Sequence, residues 1–485
     1  MDINVSGDLD ANYTYIQEAF HFSDDVKKRE FLFNERKGVC LFLETVIDDE
    51  RLDKMFFDHL QSGEDEIKTC IHASDLKMMR LLNKVSPELN QGKVAVFLEG
   101  DSEAYVFDVR KTSERTIEEP ENEKVVRGAH DGFVEGLMTN LFLLRKRVKN
   151  QDLVIKYHTL GQETETKLAV VYIESMANPK IIQAVEDKLQ SISSDMVFSP
   201  GYVEEFLENE QLSPFPQMLN TERPDRTMAN LLDGRVAILT DGDPTALVCP
   251  VSFFAFYQSP DDYNSRFIVG SFYRILRMIS FFIAIFVPAI YIATVSFHFE
   301  VIPADLVLPV KSSVERIPYP PIVEAILMEL TIELIREAGI RLPSPIGQTI
   351  GIVGGLVIGD AVVQAGLVSN IMIIVVAITA IASFVVPSFE MSSTLRVVRF
   401  PFMFAAASFG YFGIMFCFTL LLIHLCKLES FGSPYFAPVA PLTWQDLKDS
   451  FIRAPLEKMN ERPRATRPLN KFRQRVRKGR RKNGE

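Results

Sequence analysis

One ionisable side chain, Asp360, stands alone in an apolar run of 42 residues between Ile346 and Pro387. A carboxylate in such surroundings is costly unless it pairs with a cation or contacts water. If several copies of this run surround an axis, one stripe of its side chains lines a narrow tube. Apolar members of the stripe then gate the tube by dewetting, and a ring of carboxylates favours cations. The predicted pore-lining and gate residues are Thr349, Val353, Leu356, Asp360, Val363 and Gln364.

Glycine recurs at every fourth position of the same run, at Gly347, Gly351, Gly355 and Gly359. This spacing places the glycines along one side of a helix, where small residues let helices pack backbone to backbone. The pattern predicts a helix that packs against other helices. The structural alternative is that the glycines pack helices of one chain and that Asp360 pairs with Arg336, Arg341 or a partner subunit.

The elements that position these residues are apolar helices. About 20 apolar residues cross a bilayer, so the 42-residue run predicts two spans with a turn near Gly366–Asn370. Basic residues precede the first apolar stretch and a basic tail follows the last, which predicts that both termini lie on the cytoplasmic side and that the number of crossings is even. The four predicted spans are residues 278–299, 346–366, 370–387 and 401–426.

The segment Pro321–Gly339 is apolar but carries several charges. Glu329, Glu333, Arg336 and Glu337 fall on one side at helical spacing, opposite a broad apolar face. We expect an amphipathic helix that lies at the membrane interface or faces a watery cavity. If the chain forms a channel, Glu329, Glu333 and Glu337 concentrate cations at its vestibule.

The part of the chain before residue 266 contains a near-repeat. GKVAVFLEGDSEAYVF at residues 92–107 aligns without a gap with GRVAILTDGDPTALVC at residues 234–249. Each copy alternates apolar residues around an acidic-Gly-Asp turn, which predicts a β-hairpin, and a helical pattern precedes each copy. The fold class is therefore an α+β cytoplasmic region with two related subdomains, followed by an α-helical transmembrane domain of about four spans plus an amphipathic helix. The predicted domains are an N-terminal helical segment (1–90), an α+β domain (91–265) with hairpins at 92–109 and 234–250, a transmembrane domain (266–428) and a basic cytoplasmic tail (429–485).

Composition narrows the function classes. The net charge is −11, yet residues 453–485 carry 13 Lys and Arg against 3 Asp and Glu, so the tail is +10 and the remainder −21. Such a tail is held at an anionic lipid surface or is a disordered solubilising extension. It has almost no aromatic residues, so nucleic-acid binding is not expected.

The five cysteines form no CxxC pair, the histidines lack metal-ligand spacing, and the acidic N-terminus is no signal peptide. No catalytic motif is present, so we expect neither an enzyme nor a cofactor or metal site.

The run from Glu337 to Pro387 closely resembles the A subunit of the GerA-type germinant receptors of endospore-forming bacteria. Further pieces match in order, namely EKVVRG with GFVE, NTERPDR, GRVAIL, QSPDDY, VSFH, ELIREAG and SFGSPY, over about residues 110–455. The first 90 residues and the basic tail match less clearly.

The resemblance implies a subunit of the spore inner membrane with its N-terminal domain facing the core. Such subunits act with a transporter-like B subunit that binds the nutrient and with a lipoprotein C subunit. They are thought to form homo-oligomers that conduct monovalent cations when a nutrient binds. The family often has an amide, as in VIGQAAV, where this chain has VIGDAVV, so an acidic ring at Asp360 is particular to this protein. The alternatives are a membrane-anchored scaffold and a permease-like transporter subunit.

Overall fold

The computed structural model describes residues 3–60, 66–111, 119–343, 346, 355, 359 and 361–473. Two antiparallel five-stranded sheets form the part of the chain before residue 266, and long apolar helices follow. A C-terminal segment, residues 428–473, then returns to the second sheet. Short 3-10 helices lie at Phe57–His59, Phe253–Tyr257, Phe299–Val301, Asp446–Asp449, Leu456–Lys458 and Arg464–Thr466.

The first subdomain, residues 3–111, is built on a sheet with the strand order β1-β2-β4-β5-β3. Its strands are β1 (Val26–Phe33), β2 (Arg36–Leu43), β3 (Lys77–Met79), β4 (Lys93–Leu98) and β5 (Ala104–Asp108). Its helices are α1 (Leu9–Ala19), α2 (Asp49–Met55), α3 (Ile67–Cys70) and α4 (Leu82–Leu89).

The second subdomain, residues 119–265, has a sheet with the order β6-β7-β9-β10-β8. Its strands are β6 (Leu153–Leu160), β7 (Thr166–Ile173), β8 (Leu219–Thr221), β9 (Val236–Thr240) and β10 (Ala246–Cys249). Its helices are α5 (Leu137–Arg147), α6 (Pro179–Ser191), α7 (Pro200–Leu207), α8 (Pro224–Leu232) and α9 (Pro260–Asn264).

The two sheets have the same topology when β6 to β10 are matched to β1 to β5 in chain order. The predicted hairpins are both confirmed, and they share one register: Ala95 lies opposite Val106, and Ala237 lies opposite Val248. The repeat glycines also adopt the same left-handed backbone, with φ of +82° at both Gly92 and Gly234. Since fold, register and backbone all coincide, the near-repeat marks two copies of one structural unit.

Residues 1–90 are not the predicted helical segment, because they supply β1, β2 and β3 to the first sheet. Strands β1 and β2 form a hairpin whose two turn residues, Asn34 and Glu35, have φ of +47° and +65°. Positive φ at both turn positions is the geometry of a tight two-residue hairpin turn. Strand β1 lies at the sheet edge and carries four charged side chains in succession, so its sequence lacks the apolar alternation of a half-buried strand.

The apolar part comprises α10 (Phe267–Phe297), α11 (Ala304–Val314), α12 (Pro321–Arg341), α13 (Asn370–Phe384) and α14 (Phe389–Lys427). Among the described residues, α10 and α14 are long and apolar enough to cross a bilayer, whereas α13 is a shorter apolar helix. The predicted spans at 278–299, 370–387 and 401–426 fall on α10, α13 and α14. The predicted span at 346–366 lies mostly outside the described residues.

Helix α14 reverses its direction at Gly410, which has φ of +59° and ψ of −141°. Thr394 in its first arm donates a hydrogen bond to the carbonyl of Pro214 at 2.5 Å, and His424 in its second arm lies 2.9 Å from Ser213. A straight helix would separate positions 394 and 424 by about 45 Å. The predicted span at 401–426 therefore crosses a sharp turn and is divided between two antiparallel arms.

The C-terminal segment packs on the second subdomain as far as Arg473, which differs from both expectations for this part of the tail, a lipid-bound tail and a disordered extension. Ser430 donates to the carbonyl of Gln217 at 2.8 Å, and Arg462 donates to the carbonyl of Leu232 at 2.5 Å. Arg473 donates two hydrogen bonds of 2.6 Å to the carboxylate of Asp233. These basic side chains bind specific protein acceptors, so their charge is used within the chain. The remaining basic residues, 474–485, lie outside the described residues.

Two glycines of the second hairpin allow a test of how tightly this unit is packed. A Cβ at Gly234 would lie 2.7 Å from the carbonyl oxygen of Met176, whereas a Cβ at Gly242 would meet none of the described residues within 4 Å. Both residues have a positive φ that strains any other L-residue, at a cost of about 1–2 kcal/mol. We expect Gly234→Ala to lower the thermal midpoint of the purified chain clearly more than the matched Gly242→Ala. Equal midpoints for the two variants would contradict the close approach of Met176.

Candidate functional site

A buried ion pair lies at the centre of the apolar helices. The side chains of Glu329 in α12 and Arg399 in α14 are each only 2% exposed and pair with each other. Arg399 Nε also donates to the carbonyl of Ala284 in α10, at 2.9 Å. A buried charge is tolerated only when a partner compensates for lost hydration. This single contact therefore joins α10, α12 and the first arm of α14.

A second buried carboxylate ties α12 to the start of α13. Glu324 is fully buried, and its Oε2 accepts the backbone N–H of Ser369 at 2.9 Å. Ser369 is the N-cap of α13, and its hydroxyl lies 3.2 Å from the hydroxyl of Tyr291 in α10. Helices α10, α12 and α13 therefore meet at one polar point inside the bundle.

These contacts set the direction of α12. We call the end of the bundle beside the second subdomain the near end, because Arg277 at the start of α10 donates to Tyr257 there. Glu324 binds Ser369, which contacts Tyr291 in the far half of α10. Glu329 pairs with Arg399, which donates to Ala284 in the middle of α10. Glu333 lies 3.6 Å from Arg396, close to the near end. Helix α12 therefore runs back from the far end to the near end, antiparallel to α10.

Helix α12 buries its first two acidic residues and exposes several of its leucines. Glu324 and Glu329 are at most 1% exposed, whereas Leu330 and Leu334 are 50% and 71% exposed. The predicted separation of acidic and apolar faces is present, and the acidic face turns towards the other helices. Apolar side chains outside and paired charges inside are the arrangement expected when a helix faces lipid.

Each predicted vestibule carboxylate has a cationic partner in the chain. Glu329 pairs with Arg399, Glu333 pairs with Arg336 and Arg396, and Glu337 pairs with Arg341 at 2.6 Å. Glu329 is buried within one copy of the chain, so it is not open to a vestibule there. The vestibule role of Glu333 and Glu337 stays a prediction.

The structure describes only part of the glycine-rich helix. The predicted residues Gly347, Thr349, Gly351, Val353, Leu356 and Asp360 lie outside the described residues. At Gly355 and Gly359, a Cβ would meet nothing in the described part of the chain within 4 Å. Val363 is half-buried and Gln364 is exposed.

The predicted turn near Gly366–Asn370 is confirmed. Gly366 has φ of +68°, its N–H donates to Val363 at 2.9 Å, and the N–H of Leu367 donates to Val362 at 3.0 Å. This pair of bonds is the usual glycine termination of a helix. The glycine-rich helix therefore ends at Gly366, beside the far-end contact of Glu324 with Ser369.

Sequence reasoning missed the partners of the acidic residues. Arg396 and Arg399 lie just before the predicted span at 401–426, and no periodicity connects them with Glu329 or Glu333. One signal was available in the sequence: two arginines precede an apolar stretch, and another apolar segment of the chain carries several glutamates. Ionisable residues in apolar helices usually pair with one another, so these two groups were candidate partners. It also missed the fully buried pair of Arg145 and Asp25, with a 3.0 Å contact, which joins the two subdomains. Among the described residues, no three His, Cys, Asp or Glu side chains could hold a metal ion.

Comparisons with known proteins agree over most of the chain. The family model for the Bacillus/Clostridium GerA spore germination protein matches residues 14–465. Spore germination protein A1 of Bacillus subtilis (strain 168) is 41% identical over 438 residues, covering 90% of this chain and 91% of that protein. Spore germination protein KA of the same organism is 37% identical over 482 residues, covering 97% and 89%.

A solved structure is also similar in part. The N-terminal domain of the A subunit of the Bacillus megaterium spore germinant receptor GerK3 is 25% identical, covers 52% of this chain and 98% of its own, and superimposes with a TM-score of 0.40.

Removing one partner of the central ion pair should be far more damaging than removing an exposed carboxylate. We expect Glu329→Ala to cost about 3–5 kcal/mol, because it leaves the buried charge of Arg399 unpaired. The control is Glu337→Ala, whose pair with Arg341 is exposed and worth at most about 1 kcal/mol. Thermal unfolding of the detergent-purified chain measures both, and similar midpoints for the two variants would refute the buried pair.

Proposed function

The chain belongs to the Bacillus/Clostridium GerA family of spore germination proteins, and from this premise we propose that it is the A subunit of a nutrient-responsive germinant receptor. Its copies assemble around the glycine-rich helix into a gated cation channel of the spore inner membrane. One observation carries the proposal above the others. Within the described part of the chain, no atom outside this helix lies within 4 Å of the position that a Cβ would take at Gly355 or Gly359, which supports close packing of a second helix there.

The proposed membrane domain has six helical passages in place of the four expected from hydropathy. Helix α10 leads away from the second subdomain, α12 returns, and the glycine-rich helix leads out again to the turn at Gly366. Helix α13 returns, since Ser383 near its end accepts a hydrogen bond from Ser392 at the start of α14. The two arms of α14 complete the six. An even number of passages places both termini on one side of the membrane, in agreement with the packing of the C-terminal segment on the second subdomain.

The outer faces of these helices support a lipid environment. Large apolar side chains on α13 and α14 are exposed in the single chain, while the charges of Glu329 and Arg399 are paired inside the bundle. An exposed apolar surface of this extent is unusual for a soluble protein. Examples are Ile374, Ile381, Phe404, Phe409, Phe412, Phe416 and Ile423.

Under this proposal the stripe of Thr349, Val353, Leu356, Asp360, Val363 and Gln364 lines the pore, with Leu356 and Val363 as the apolar gate. The partners are further copies of the chain, a transporter-like B subunit that binds the nutrient, and a lipoprotein C subunit. The ions are monovalent cations. A membrane-anchored scaffold and a permease-like transporter are the competing functions, and neither requires the glycine face to contact another copy.

A leucine at Gly355 separates the channel from a simple anchor. We expect Gly355→Leu to reduce the size of the detergent-purified assembly and to abolish germination in response to nutrient, because its side chain blocks close helix packing. The matched control is Gly201→Leu, which changes an exposed helical glycine of the second subdomain and should leave assembly intact. Size is measured by multi-angle light scattering. A normal assembly with Gly355→Leu would favour the anchor.

A smaller side chain at Val363 should open the proposed apolar gate. We expect Val363→Ala to let rubidium leak from proteoliposomes without nutrient, because a wider apolar constriction no longer excludes water. The control is Val362→Ala, since Val362 packs against the hydrophobic core of the bundle. Ion flux that is unchanged by Val363→Ala, Leu356→Ala and Val363→Asp would show that this stripe does not line a pore.

A further inference from the structure

A cavity of about 740 Å³ lies between the second subdomain and the C-terminal segment. Helix α8 and the chain before α9 form one side, and the C-terminal segment closes the other. Its wall combines apolar side chains, including Met228, Phe254 and Met459, with the guanidinium of Arg235. Its volume falls within the range of about 300–1,000 Å³ that is typical of small-molecule sites.

Arg235 is a buried cation whose hydrogen-bond partner is neutral. The residue is only 8% exposed, and its Nη1 donates to the amide oxygen of Asn230 at 2.7 Å. Its Nε has no hydrogen-bond partner among the residues that the structure describes. Burial lowers the pKa of Arg235, and the charge of nearby Asp233 acts against this shift without cancelling it. A buried guanidinium with an unused N–H is costly unless something supplies the missing acceptor.

The duplication provides an internal comparison for this site. Lys93 and Arg235 occupy the same position of the repeat, 142 residues apart, and so do Glu88 and Asn230. In the first subdomain Glu88 pairs with Lys93 at 2.5 Å. Burial alone would lower the pKa of Lys93, but the hydrogen bond and charge of Glu88 raise it. The second copy has kept the buried cation and replaced its carboxylate by an amide.

Other carboxylates of the cavity wall are already engaged. Asp233 accepts two hydrogen bonds from Arg473, and Asp449 lies 2.8 Å from Arg274. The remaining acidic wall residues also contact other groups: Asp225 pairs with Arg223, Glu461 pairs with Arg464, and Asp446 accepts the backbone N–H of Arg464. With these carboxylates engaged, Arg235 is a buried cation of the wall with a donor unused among the described residues, and Lys448, Lys458 and Arg462 add further positive charge to the same wall.

We propose that this cavity binds a small organic anion whose carboxylate or phosphoryl head pairs with Arg235. The forked N–H groups of arginine match two oxygens of such a head, and among the described residues only Nη1 of Arg235 is engaged, by Asn230. The apolar part of the ligand lies against Met228, Phe254 and Met459. The bound ligand bridges α8 and the C-terminal segment. This site is separate from the proposed channel and does not depend on it.

The first experiment titrates the full chain, purified in detergent, with benzoate, phenyl phosphate and benzylammonium by isothermal calorimetry. The three probes share an aromatic ring and differ in their charged head. We expect saturable binding of benzoate or phenyl phosphate, and the better of the two identifies the head group. Benzylammonium should not bind, because its charge has the sign of Arg235. Absence of binding by both anions, or equal binding by benzylammonium, overturns the proposal.

The second experiment restores the missing carboxylate. We expect Asn230→Glu to weaken anion binding roughly tenfold or more, because the new side chain occupies Arg235 as Glu88 occupies Lys93. The variant should also raise the thermal midpoint of the unliganded chain, so that its folding is verified in the same sample. Arg235→Gln should lose binding as well. The matched control Glu88→Asn alters the equivalent pair of the first subdomain and should leave the affinity unchanged. Unaltered affinity in Asn230→Glu refutes the site, whatever the outcome of the channel tests.

Discussion

The buried pair of Glu329 and Arg399 is the constraint on which the arrangement of the apolar helices depends. Neither charge could remain in such surroundings alone, so α12 must lie against the first arm of α14 at one height and in one orientation. The carbonyl of Ala284 adds α10 to the same contact. Once these three helices are aligned, the leucines of α12 point outwards, and the turn at Gly366 falls beside Glu324. The polar interior thus determines which surfaces remain for lipid and for neighbouring copies.

The soluble part uses one structural unit twice, and the difference between the copies is informative. Strand order, hairpin register and the backbone of the repeat glycines are the same, so the packing of the unit has been kept. The buried cation is also kept, but Glu88 of the first copy corresponds to Asn230 of the second. In the first copy a carboxylate therefore compensates the buried cation, whereas in the second copy the cation, Arg235, has an amide partner and lines a cavity.

The cavity and the apolar helices are connected through residues that belong to both. Asp449 of the C-terminal segment accepts hydrogen bonds from Tyr263 and from Arg274 in the first turns of α10. Arg453 donates to the carbonyl of Ser265, at the junction of α9 and α10. The wall of the proposed anion site is thus continuous with the entry of the chain into the bundle. Under our proposals, a ligand that holds the C-terminal segment in place also stiffens the base of the first membrane helix.

Local pattern alone determined the two hairpins, the turn at Gly366, the apolar runs and the family. Each of these depends on neighbouring residues: alternation specifies a strand, and a glycine with positive φ specifies a turn or a helix end. The tertiary structure decided the strands within residues 1–90, the reversal of α14 at Gly410, the direction of α12 and the docking of the basic C-terminal segment. These features depend on partners far apart in the chain, such as Glu329 with Arg399 or Asp233 with Arg473. Periodicity reports which face of an element is buried, but it does not report what lies opposite that face, because pairing is decided by the energy of the whole packed arrangement.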